Sequence, residues 1–132
     1  MNETKGAFRF AFFTDKYQAT YDFYLDQLGL NLEHSWDRSE NDKGALFNAG
    51  VGLIEVLYLP SSEALFNAGL DYRSPEGAFM VVQIWDVNER FESYKSKGIN
   101  FKQELTTQPW GHRSFSVVDP NGIVLFFYEE PT

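Results

Sequence analysis

The chain runs through one order of elements twice, and this repeat limits its fold more than any other feature. Residues 8–13 alternate as a strand, with Phe8, Phe10 and Phe12 on one face and Arg9, Ala11 and Phe13 on the other. Tyr17, Tyr21, Tyr24, Leu25 and Leu28 then share one face of a helix. Asp15 and Gln18 read as its capping box, and Gly29 as the left-handed residue that ends it. Strands are expected at 30–34, 45–49 and 52–58, with the polar run 38–44 as a hairpin loop. Residues 59–77, rich in Pro, Ser and Gly, read as a linker holding a short helix at 63–66.

The order then restarts. A strand is expected at 79–85, followed by Asp86 and Glu89 as N-cap and N3 of a second helix. Val87, Phe91 and Tyr94 mark its buried face, and Gly98 its end. Strands follow at 99–105, 112–118 and 123–128, the last two joined by the turn Asp119-Pro120-Asn121-Gly122, where Asn-Gly tolerates positive φ. The two stop glycines are followed by Leu30-Asn31-Leu32 and Ile99-Asn100-Phe101. Strand–helix–strand–strand–strand, twice, predicts an α+β fold in one domain over 1–132, with half-repeats at 8–58 and 78–129.

Composition narrows the function classes. With 11 Lys and Arg against 19 Asp and Glu, the net charge is −8, which argues against nucleic-acid binding. That charge would favour a cationic ligand, but solubility alone explains it. The absence of cysteine removes disulfides, thiolate metal sites and cysteine nucleophiles, and two histidines leave little for a His-rich centre. Apolar runs are too short for a membrane span, and the N-terminus lacks an apolar signal core, so a cytoplasmic protein is expected.

Two short motifs give the repeat an identity. The run Phe23-Tyr24-Leu25-Asp26-Gln27-Leu28-Gly29-Leu30 and the run Val118-Asp119-Pro120-Asn121-Gly122 stand in the order and at the distances of the vicinal oxygen chelate superfamily, which this chain resembles over roughly residues 8–130. That superfamily includes glyoxalase I, extradiol dioxygenases, fosfomycin-resistance enzymes and bleomycin-resistance proteins. The resemblance implies two βαβββ units forming a curved mixed sheet around a concave cavity, with helices on the convex side and a homodimer that completes the cavity.

The resemblance also implies four strand positions that hold a divalent metal in the enzymes of the group, filled by His, Glu or Gln. Here the first falls on Arg9, the second on Glu55, the third on Met80 (Phe79 if the register slips by one) and the fourth on Phe126. Arginine stays cationic and does not coordinate metal. One position of four is therefore a ligand, so no metal and no cofactor are expected. Arg9 and Glu55 would face one cavity and pair across it, since isolated buried charges are costly.

Strand alternation lists the cavity wall. Phe13 goes with Arg9; Leu53 and Leu57 with Glu55; Val82 and Ile84 with Met80; Val124 and Tyr128 with Phe126. Phe8, Phe10, Phe12 and Phe127 then turn toward the helices. Trp110, between Pro109 and Gly111, is expected to cap the cavity or meet a partner chain, and Arg113 to reach the cavity or the surface. The candidate ligand-binding residues are thus Arg9, Phe13, Glu55, Trp110, Arg113 and Phe126, with no catalytic group assigned. The expected function is metal-independent binding and sequestration of a small molecule, planar or aromatic or cationic, as in the bleomycin-resistance branch. The alternative is a glyoxalase-type lyase, isomerase or dioxygenase using a divalent metal.

Overall fold

A computed structural model describes residues 7–59, 69 and 74–131. Most of the linker, with the helix expected at 63–66, lies outside the described residues. The first half contains β1 (Arg9–Thr14), α1 (Tyr17–Asp22), a π turn (Phe23–Gln27), β2 (Asn31–Ser39), β3 (Asp42–Asn48) and β4 (Leu53–Tyr58). The second contains β5 (Phe79–Gln83), α2 (Val87–Ser96), β6 (Phe101–Thr107), β7 (Arg113–Val118) and β8 (Val124–Glu129). The repeat is therefore real at the level of elements. Its strands form two four-stranded mixed sheets, ordered β1-β4-β3-β2 and β5-β8-β7-β6, rather than one continuous sheet. In each, the first strand lies at the edge and runs parallel to the last strand of its own half, while the other pairs are antiparallel.

The helix ends differ from the capping boxes expected. Asp15 pairs with Lys16 at 3.7 Å, and Gln18 donates to Asp22 at 2.9 Å, so neither caps α1. The Thr14 hydroxyl instead accepts the Lys16 N–H at 2.9 Å. Asp86 occupies the N-cap position of α2, but its carboxylate holds Arg90 at 3.1 Å. The free Val87 N–H donates to Glu129 on β8 at 3.0 Å, so the cap comes from the sheet beneath the helix. Both stops are as expected, with Gly29 and Gly98 at φ +69° and +74°.

The first hairpin is tighter than the loop expected at 38–44. Its strands continue to Ser39 and Asp42, leaving Glu40 and Asn41 between them. Arg38 binds Asp42 through Nε at 2.9 Å, and the Trp36 indole lies flat where a side chain at Gly44 would stand. Gly44 is thus a place for an aromatic ring rather than a loop residue.

One hydrophobic cluster spans both halves, from Phe12, Phe23, Tyr24, Phe47 and Val56 to Val82, Phe91, Phe115, Leu125 and Phe127. Polar tethers join the halves as well. The Tyr94 hydroxyl donates to the Leu28 carbonyl at 2.8 Å, and the Lys97 ammonium to the Asp26 and Gln27 carbonyls at 2.9 and 3.1 Å. The strongest tether uses both sequence motifs. Tyr24 donates to the buried Asp119 carboxylate at 2.9 Å. Asp119 also accepts the N–H groups of Asn121 and Ile123 at 2.7 and 3.0 Å, closing its own turn. Asn121 in turn donates to Thr20 at 3.0 Å and accepts from Thr14. Only Gly122 takes positive φ there, so Asn121 serves through its side chain rather than its backbone. Burial and the neighbouring Asp119 carboxylate push the Tyr24 phenol well above its usual range, keeping it a donor.

Candidate functional site

The outward faces of the two sheets carry the candidate side chains. On β1, Phe12 and Thr14 are buried, while Arg9, Ala11 and Phe13 lie on the opposite face. On β4, Ile54 and Val56 are buried, and Leu53, Glu55 and Leu57 face outward. The parallel register sets Arg9 beside Leu53, Ala11 beside Glu55 and Phe13 beside Leu57. Arg9 reaches diagonally to Glu55, Nη1 to Oε1 at 3.3 Å. The expected ion pair is present, with side chains 52% and 18% exposed respectively.

On the second sheet the outward face is Phe79, Val81 and Gln83 of β5, with Val124, Phe126 and Tyr128 of β8. Met80, Val82 and Ile84, expected in the cavity wall, belong instead to the core; Met80 is 7% exposed, against 63% for Phe79. The reason is register. Met80 sits opposite the buried Leu125, whereas Val81 sits opposite Phe126, so the strand is one residue out of phase with the first expectation. Phe8 also departs from its expected core position and is exposed. It precedes the strand proper, where alternation no longer sets the facing.

Trp110 is held out by a turn in which Gly111 N–H donates to the Gln108 carbonyl at 2.9 Å, with Gly111 at φ +99°. Its ring is 6.3 Å from His112, which stacks on Tyr128 at 4.9 Å with an interplanar angle of 13°. That stack was not legible in the sequence, because it joins the residue ahead of β7 to the outward face of β8. Trp85 is exposed at the end of β5. Arg113 turns away from this face: it donates to Asn88 on α2 at 2.7 Å and to Thr107 at 3.1 Å. Its cross-strand partner Glu129 likewise serves α2, so Arg113 leaves the candidate wall.

The candidates do not converge on one pocket within this chain. The apolar cleft between the edges of the sheets, ≈ 270 Å³, is lined by Phe8, Phe10, Val51, Phe79, Val81 and their neighbours, without Arg9, Glu55 or Phe126. Two open faces are present instead: one with an ion pair among Ala11, Phe13, Leu53 and Leu57, the other aromatic. A divalent metal does not fit the side chains offered. Of Arg9, Glu55, Phe79 and Phe126, only Glu55 is a ligand type, and Arg9 engages it. No group of three or more His, Cys, Asp or Glu gathers among the described residues. No helix among them is long and apolar enough to cross a membrane.

The chain belongs to the Glyoxalase/Bleomycin resistance protein/Dioxygenase superfamily, whose family description matches residues 6–127. No curated protein matches the sequence. Among solved structures it is similar to TioX from Micromonospora sp. ML1, with a TM-score of 0.78 and 18% identity over 96% of this chain and 100% of that one. A lactoylglutathione lyase from Agrobacterium tumefaciens gives 0.72 and 20% over 96% and 95%. A superfamily member from Sphaerobacter thermophilus gives 0.70 and 19% over 96% and 98%. At these identities the likeness is one of fold.

Proposed function

We propose that this protein is a metal-independent binder that sequesters a planar or aromatic small molecule. One observation carries the reading. At the strand positions where enzymes of the superfamily place metal ligands, this chain puts a guanidinium–carboxylate pair on one sheet and bare aromatic surface on the other. Neither provides the Lewis acid that the enzymatic chemistry uses. Both suit a ligand with flat apolar area and a polar edge. Since each face is open on its own, we place the ligand between the outward face of one copy and that of a second, in a homodimer. Exposed Phe79, Val81, Trp85 and Trp110 support this, being large apolar groups left in water.

Two measurements test it together. Metal analysis of the purified protein should find no stoichiometric Ni²⁺, Zn²⁺ or Mn²⁺, and a thermal-shift screen of aromatic compounds should find stabilising ligands. A ligand at a hundredfold excess over its Kd adds about 2.7 kcal/mol to stability. Tight stoichiometric metal with turnover of a methylglyoxal–thiol adduct would establish the glyoxalase-type enzyme instead.

A further inference from the structure

We propose that Arg9 is the docking point for the acidic group of the ligand, which narrows the ligand class to aromatic acids bearing a carboxylate or sulfonate. The inference rests on the small-molecule-binding reading above and deepens it. Its basis is the unequal use of the two charges. Arg9 makes a single contact through Nη1, at 3.3 Å, longer than the roughly 2.7–2.9 Å of a strong charge-assisted hydrogen bond. A guanidinium carries five N–H donors, and no other Arg9 donor meets a described residue. Arg38 and Arg113, by contrast, each use two of their nitrogens on neighbouring side chains. Among the described residues nothing else occupies the fork of Arg9, which leaves it open to two-point acceptance by a planar anion, the geometry arginine recognises best.

Exposure sets the order of approach. The Arg9 side chain is the open member of the pair, and Glu55 the enclosed one. An arriving acid meets the guanidinium first and completes its hydrogen bonding without displacing Glu55. An arriving cation would have to draw Glu55 away and leave Arg9 unpaired. Around the pair, Ala11, Phe13, Leu53 and Leu57 give the ring of such an acid an apolar bed within the same face.

The test uses two dyes with the same rings: anilinonaphthalene sulfonate, which is anionic, and phenylnaphthylamine, which is neutral. Both brighten in apolar sites, so each gives a Kd by titration against the full chain. Arg9→Gln should weaken sulfonate binding about tenfold and leave the neutral dye within about twofold. Glu55→Gln should tighten sulfonate binding, because the neighbouring carboxylate that repels the anion is gone. Thermal melts confirm that each variant is folded, and Glu55→Gln decides alone if Arg9→Gln is not. Equal loss of both dyes in Arg9→Gln, or sulfonate binding indifferent to Arg9, overturns the inference while leaving the binding reading intact. Weaker sulfonate binding in Glu55→Gln also overturns it. Failure of both dyes to bind the wild-type chain overturns both readings.

Discussion

Replacing Asp119 tests the claim that the two sequence motifs act as one tether between the halves. The carboxylate is buried and accepts from Tyr24 Oη, Asn121 N, Ile123 N and Asn121 Nδ2, at 2.9, 2.7, 3.0 and 3.3 Å. Asp119→Ala strands the Tyr24 hydroxyl in the core and frees two backbone donors in the turn. Each unsatisfied buried donor costs roughly 1–3 kcal/mol. Water enters the partly open turn more readily than the core, so the total should be about 3–5 kcal/mol. Asp119→Asn keeps the oxygen that serves the turn, and the Tyr24 hydroxyl can rotate to accept from the new amide, so its cost should be about 1–2 kcal/mol. Tyr24→Phe removes the donor with the least rearrangement and should cost about 1 kcal/mol. Because Tyr24 and Asp119 share one bond, Tyr24→Phe with Asp119→Asn should cost less than the two separately. Urea unfolding followed by tryptophan fluorescence gives all four values. An alanine variant within about 1 kcal/mol of wild type would refute the reasoning. So would equal costs for alanine and asparagine.

Three further outcomes follow from the same geometry. Met80→Asp should unfold the protein or cost upwards of about 3 kcal/mol, whereas Val81→Asp should fall within about 1 kcal/mol of wild type; reversal of that order in urea melts would put β5 back in the other register. Gly44→Ala should displace the Trp36 indole, costing about 1–3 kcal/mol and shifting its emission toward that of a solvated indole. Burial is the main cause raising the Tyr94 phenol from 10.0 to about 12. The unfolded chain therefore releases this proton first, and the stability this phenol contributes should fall as pH rises from about 10 toward 12, where Tyr24 adds a further fall of the same sign. Tyr94→Phe should shallow that fall while costing about 1 kcal/mol at neutral pH through loss of its bond to Leu28.

The same register argument explains what could be read from the sequence and what could not. Element order, both stop glycines and the helix-facing aromatics Phe12 and Phe127 follow from local periodicity and turn chemistry, which neighbouring residues report directly. The Arg9–Glu55 pair comes from the family resemblance, which puts both residues at strand positions facing one way; alternation alone does not give it, since β4 reads Leu-Ile-Glu-Val-Leu-Tyr. The β5 facing was not legible. Residues 79–82 read Phe-Met-Val-Val, apolar at every position, so alternation carries no phase. Its phase is set by β8, where Leu125 and Phe127 are covered and Phe126 is not. The helix caps failed for a related reason. Asp86 has the right chemistry, yet Glu129 takes the Val87 N–H from a position that only the folded chain supplies, while at α1 the neighbouring Thr14 hydroxyl takes the Lys16 N–H in place of Asp15. The family resemblance thus places the charged residues Arg9 and Glu55, while Phe79 and Val81 stand on a strand whose phase neither alternation nor the resemblance settled. The aromatic half depends on tertiary register. A single-residue slip there would exchange the exposed Phe79 and Val81 for Met80 and Val82, burying the outward apolar surface and exposing the core. Exposure of the aromatic face and stability of the second half are thus set by one alignment, and the Met80 and Val81 variants measure it from both sides.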